Sequence, residues 1–264
     1  MGSATRQALA SAREALVALG GTDGLAVGEQ LFEAARVIGD SAPLRSLLAD
    51  PSAAAADKAA VIDQLFSTLG ASARSLLSTT VAATWSTQDD LLAGIEEIAI
   101  RAVASSAPKG TSIEAELFAF LAAVTSDAEL ELAVGSKLGS PASKSALVAS
   151  LLGGKASAQT TAIINHLVQQ PRGRRIGELV RDAADTVADQ AGLAVATVIT
   201  AAPISAAQLD RLRASLAKSY GRDLEINQVI DPSIIGGIRV QIGDDVIDGS
   251  VSTRINDLRL QLAS

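Results

Sequence analysis

Apolar residues recur three and four positions apart along most of this chain. In DDLLAGIEEIAIRAVAS (89–105) they fall at 91, 92, 95, 98, 99, 102 and 103, one face of a helix. Similar stripes run from near the start to about residue 190. They are interrupted at Gly20-Gly21, Gly39-Asp40, Asp50-Pro51, Gly70, Gly139–Pro141, Gly153-Gly154 and Gln170–Gly173, where glycine and proline end helices.

Near residue 193 the period changes. LAVATVIT (193–200) is short and β-branched, so it predicts a strand. Ser205 and Gln208 have the spacing of a capping box and open a helix carrying Leu209, Leu212 and Leu216, which stops at Gly221. DLEINQVI (223–230) alternates, as do Ile238, Val240 and Ile242. Gly243-Asp244-Asp245 is a hairpin turn signal, and Val246-Ile247 return. Asp248-Gly249-Ser250 then leads into a last helix with apolar residues at 251, 255, 258 and 262. The pattern predicts a β-α-β-β-β-α unit behind a helical body, with Gly249 required by its turn.

The helical body repeats itself. At a constant offset of 86, Leu31 meets Leu117, Phe32 meets Phe118, Leu44 meets Leu130 and Lys58 meets Lys144. The register holds downstream, with Leu77 on Ile163 and Val81 on Leu167, and upstream, with Leu9 on Ile95 and Val17 on Val103. One offset kept through several helices is the mark of a duplication. The expected fold is mainly α: a duplicated N-terminal helical bundle followed by a small α+β C-terminal domain. The expected boundaries are 1–88, 89–190 and 191–264.

Composition narrows the function. The chain is 48% hydrophobic and only 2% aromatic, so its core is aliphatic helix packing. A net charge of −7 argues against binding nucleic acid, which needs clustered Lys and Arg. There is no cysteine, hence no disulfide and no thiolate nucleophile or metal ligand. No segment reaches the roughly 18–20 uncharged apolar residues of a membrane span. The apolar periodicity of residues 1–21 includes Arg13 and Glu14, so no signal peptide is expected there.

Candidate chemistry is sparse. His166, the sole histidine, lies in apolar NHLV with no Ser or Cys partner in view, which predicts a structural residue. Asp244, Asp245 and Asp248 do not follow an EF-hand spacing, and turn and cap roles account for them. Arg172, Arg174, Arg175 and Arg181 form the one dense positive cluster, read as a solvated helix start. Trp85 is expected to anchor local packing. No catalytic, cofactor-binding or metal-binding residue is expected.

The run Val229-Ile230-Asp231-Pro232-Ser233-Ile234-Ile235-Gly236-Gly237-Ile238, then Gly243-Asp244, then Val246-Ile247-Asp248-Gly249-Ser250-Val251 with Arg254-Ile255 behind it, resembles the C-terminal motif of the delta subunit of F-type ATP synthase. In mitochondria this family is called the oligomycin sensitivity-conferring protein. Ala201-Ala202-Pro203-Ile204-Ser205 with Gln208 is similar to the family's approach to its C-terminal helix, and Arg175-Ile176 to its Arg-Leu site, without the Asn that usually precedes. Ser252-Thr253 departs from the usual Arg-Gly. The resemblance covers about residues 85–264 and makes the first copy an extra half-bundle, a duplication associated with high-GC Gram-positive relatives.

The resemblance implies a non-catalytic stator subunit without cofactors, supporting ATP synthesis from the cytoplasmic face of a bacterial plasma membrane. Membrane association would be indirect, through the complex. The implied partners are the alpha subunits of the catalytic head and the b subunit of the peripheral stalk. The family's groove between its first and fifth helices would hold an alpha-subunit helix against Ile95, Ile98, Ala102, Ile163 and Leu167. Gly236, Gly237, Asp248, Gly249, Ser250 and Arg254 would be structural motif residues. The alternatives are an unrelated helical adaptor and, against the net charge, an RNA-binding helical bundle.

Overall fold

Polar caps start the helices where the sequence breaks them. Thr87 Oγ1 accepts from the Asp90 N–H, Ser112 Oγ from Ala115 and Ser157 Oγ from Thr160, each satisfying an amide that the helix leaves free. The computed structural model describes residues 2–20, 23–135, 139–243 and 245–249. Within them the chain divides into two units, Met1–Val187 and Ala188–Ser264.

The first unit is built from α1 (Ser3–Ala18), α2 (Gly24–Asp40), α3 (Ala42–Ala49), α4 (Ala55–Leu65), α5 (Ala71–Ala82) and α6 (Gln88–Ser105), followed by α7 (Ile113–Thr125), α8 (Ala128–Gly135), α9 (Pro141–Leu152), α10 (Ala158–Gln169) and α11 (Ile176–Gln190). The repeat of 86 is visible in the helix bounds. Moving α3 by 86 gives 128–135, the bounds of α8, and moving α4 gives 141–151, against Pro141–Leu152 for α9. Moving α1 gives 89–104, which is α6 to within a residue at each end. Helix pairs recur as well: α4 on α5 becomes α9 on α10, α2 on α5 becomes α7 on α10, and α1 on α5 becomes α6 on α10. Caps follow suit, since Asp127, which corresponds to Ser41, accepts from the amides of Glu129 and Leu130.

Helix α6 therefore serves twice, as the last helix of the first copy and the first of the second. That explains why it is buried on almost every side, with Leu91, Ile95, Ile98, Ala99, Ala102 and Val103 all at 1% exposure or less. One hydrophobic core runs through both copies, from Ala8 in α1 to Val187 in α11. The tightest seam is α2 on α6. A Cβ built on Gly28 stands 2.7 Å from the Ala99 carbonyl oxygen and 2.3 Å from a Val103 methyl, so only glycine allows this approach. Trp85 anchors the α5–α6 connection as expected, buried over Gly94 with its indole N–H on the Thr80 carbonyl at 2.9 Å.

The second unit carries β1 (Ala194–Thr200), α12 (Ala206–Tyr220), β2 (Leu224–Ile230), β3 (Ile238–Ile242) and β4 (Asp245–Asp248) in the sheet order β2-β1-β3-β4. β1 and β2 are parallel across the α12 crossover, and the other pairs are antiparallel. Gln208 reaches back to the Ser205 N–H at 3.0 Å, completing the predicted capping box. Ala196, Val198, Leu224 and Val240 form a small core with Leu216 of α12. The predicted last helix lies outside the described residues. Gly249 differs from the expectation of a turn that needs glycine. Its φ is not left-handed; its N–H is bonded to the Ile238 carbonyl, which a Cβ would approach to 3.2 Å. The demanding backbone is at Gly236 and Gly237, with φ of 81° and 87°.

Candidate docking crevice and its charged wall

The five residues expected at an alpha-subunit groove, Ile95, Ile98 and Ala102 on α6 and Ile163 and Leu167 on α10, are brought together in one place. All five are interior, at 1% exposure or less. The cause is the shared use of α6: the first copy lays α2 along it, and Phe32 of α2 reaches across to α10, where its ring stacks on His166. Helices α6 and α10 are thus covered on that side by the chain itself.

On the other side a crevice of about 320 Å³ opens between α1, α6, α10 and α11. Leu9, Ile100, Leu167, Leu179 and Ala183 supply apolar walls. Asp90, Glu97 and Asp182 lie among its polar lining. Both copies contribute, since Leu9 belongs to the first and Leu167 to the second. The rim is held in place by cross-helix contacts: Thr5 Oγ1 donates to Asp90 at 2.9 Å, and Arg13 and Arg101 both bond Glu97 Oε1, at 2.6 and 2.8 Å. A space this narrow admits anchor side chains from a partner helix, not the helix itself.

Part of the crevice lining, Glu96 and Arg174, belongs to a buried charged group that sequence reasoning missed. Glu96 accepts from Arg172 at 2.9 Å, from Arg174 at 2.7 and 3.0 Å, and from His166 Nε2 at 3.1 Å. Two of the four arginines read as a solvated helix start are therefore drawn inward. Burial pushes the Glu96 carboxyl up, but the His166 hydrogen bond and the charges of Arg172 and Arg174 outweigh it and bring it down to about 2. Arg172 holds a left-handed backbone, φ 47°, in a turn closed by the Arg174 N–H on the Pro171 carbonyl at 2.9 Å. A second buried cation, Lys144, donates to the Val168 carbonyl at 2.7 Å near the end of α10, and its repeat partner Lys58 is buried too.

A carboxyl lowered by folding contributes stability that is full above its unfolded value, near 4.5, and fades as pH falls toward about 2. We expect the urea midpoint to decline between pH 5 and 3, and Glu96→Gln to flatten that part of the profile. An equally steep decline in the variant would move the acid sensitivity elsewhere.

Among the described residues no group of His, Asp and Glu is disposed to hold a metal ion. A model of the ATP synthase delta (OSCP) subunit matches residues 98–262. An ATP synthase subunit delta of Leifsonia xyli is 56% identical over the whole of both chains. This chain belongs to the ATP synthase delta (OSCP) family. A Streptomyces avermitilis subunit delta is 38% identical over 99% of this chain and 98% of its own. A chain of the Toxoplasma gondii mitochondrial ATP synthase hexamer aligns with 64% of this one at 21% identity and TM-score 0.42, too loosely to carry an argument.

As a delta-family protein the chain is a stator subunit of ATP synthase, peripheral to a membrane-associated complex. Among the described residues no helix is long and apolar enough to cross a membrane. The family model begins inside α6, yet the full-length relatives align across the first copy as well. Of the family motif, Gly236 and Gly237 set the loop before β3, Asp248 pairs across the strands with Arg239, and Gly249 is tied to Ile238. Ser250 and Arg254 lie outside the described residues.

Proposed function

We propose that this delta-family subunit is non-catalytic and holds the catalytic head still from the cytoplasmic face of the membrane. Its first unit meets alpha subunits and its second the b subunit. The observation that carries the reading is identity of 56% across the full length of a subunit delta, over a fold in which the buried Glu96 and Lys144 are paired internally. Ile95, Ile98, Ala102 and Ile163 then act as the rigid floor behind the alpha contact. Leu167, which lines the crevice, is the member of the set that backs the contact most directly. The alpha-subunit helix seats apolar anchor side chains between α6 and α11. The three-part division at 88 and 190 becomes functional on this reading: the first copy supplies α1 as one wall of the crevice, the second the other walls. On the second unit, Ile235 at 75% exposure and the exposed Val229 offer apolar contacts to the b subunit.

Titration calorimetry of the full chain with an alpha-subunit N-terminal peptide tests this. Ala183→Trp fills the crevice and is expected to weaken binding at least tenfold, about 1.4 kcal/mol, while circular dichroism shows the helices retained. Undiminished binding by the folded variant would remove the crevice from the alpha contact.

A further inference from the structure

The seam between the two helical copies contains a titratable group that the stator role does not use. His166 is 2% exposed on α10, with its ring 4.2 Å from that of Phe32 and inclined by 13°. Its Nε2 lies 3.1 Å from Glu96 Oε2, and its Nδ1 has no hydrogen-bond partner. That pattern fits a neutral imidazole whose Nε2–H donates to an ionised Glu96 and whose Nδ1 lone pair is left bare.

The surroundings resist a second proton. Arg36 faces the ring from α2, and Arg172 from the segment before α11. Arg174 shares Glu96 with Arg172 and the ring. From α6 the charge facing the ring is Glu96, already committed to both Arg172 and Arg174. Of the other nearby acids, Asp40 and Glu33 act on Arg36, and Asp182 on Arg174. An imidazolium would add a cation to a site already rich in them and point a new N–H at no acceptor. Its attraction to the Phe32 face is small beside the loss of hydration.

We propose that His166 is an acid-operated latch between the two copies: neutral, it seats α2 across α6 and α10, and on taking a proton it releases that seam while the other helices stay folded. The element that moves is α2, because Phe32 is its contact with the ring. Burial, then the charges of Arg36 and Arg172, hold the imidazole below its ordinary value despite Glu96, so release falls on the acid side of neutrality. The sign follows: the seam is complete above the unfolded value of about 6.5 and weakens as pH drops.

Being the sole histidine, His166 gives one imidazole C–H signal in the proton NMR spectrum of the full chain. We expect it to titrate below about 6.5. With the same midpoint, amide protection factors of α2 residues 31–38 should fall at least tenfold, while the far-ultraviolet helix signal stays constant. His166→Gln keeps a donor for Glu96 and has no basic nitrogen, so its protection should not change across that range. An imidazole titrating at its ordinary value without change in protection would overturn the latch. So would the same pH profile in His166→Gln, or helix loss coincident with the seam. If the variant does not fold, the coincidence of midpoints in the wild-type chain decides.

Discussion

Glu96→Ala is expected to lower the unfolding free energy by about 3–5 kcal/mol, the usual cost of removing one partner from a buried charged network. Arg172 and Arg174 would be left mostly buried against each other, with side-chain exposures of 20% and 23%, and the His166 ring would lose its hydrogen bond to the carboxylate. Asp63→Ala should cost far less. That residue is 66% exposed and pairs with Arg74, whose side chain is 34% exposed, and exposed pairs contribute little. Urea unfolding at pH 7 separates the two. Equal effects at Glu96 and Asp63 would mean that the buried network is not what joins α6 to α10 and the segment before α11.

Gly28→Val should be strongly destabilising, at about 3 kcal/mol or more. The added Cβ meets a backbone carbonyl and a buried methyl, and neither can move aside without parting α2 from α6. Gly177→Ala in α11 is the matched control. There an added methyl meets only the flexible end of Arg181 at 3.3 Å and Leu121 at 3.8 Å. Its thermal midpoint should hold or rise slightly, since the substitution also reduces the freedom of the unfolded chain. A mild Gly28→Val would show that the seam is loose.

Much of this architecture is legible in the amino-acid sequence. Periodicity marks the helices, and the offset of 86 predicts their bounds in the second copy from those in the first. The switch to alternation near residue 193 marks the sheet. Two things escaped. The burial of α6 on almost every side escaped because an apolar stripe shows that a helix is buried, not how many neighbours bury it. The Glu96 network escaped because glutamate on a helix and arginines near a break read as solvated. A signal was present all the same. At offset 86, Glu96, His166, Arg172 and Arg174 correspond to Ala10, Thr80, Ser86 and Gln88. Ionisable groups appear together in the second copy where the first has uncharged residues, and that coordinated departure from the repeat marks a network.

The pairing of a closely packed helical unit with a sheet unit suits a stator subunit. The measurement that tests this most directly uses the assembled ATP synthase in sealed vesicles, stripped of this subunit and then given it back. Proton-driven ATP synthesis should collapse on removal and return with the full chain, while ATP hydrolysis by the detached head is unchanged throughout. Synthesis that persists without the subunit, or hydrolysis by the detached head that requires it, would contradict the stator role.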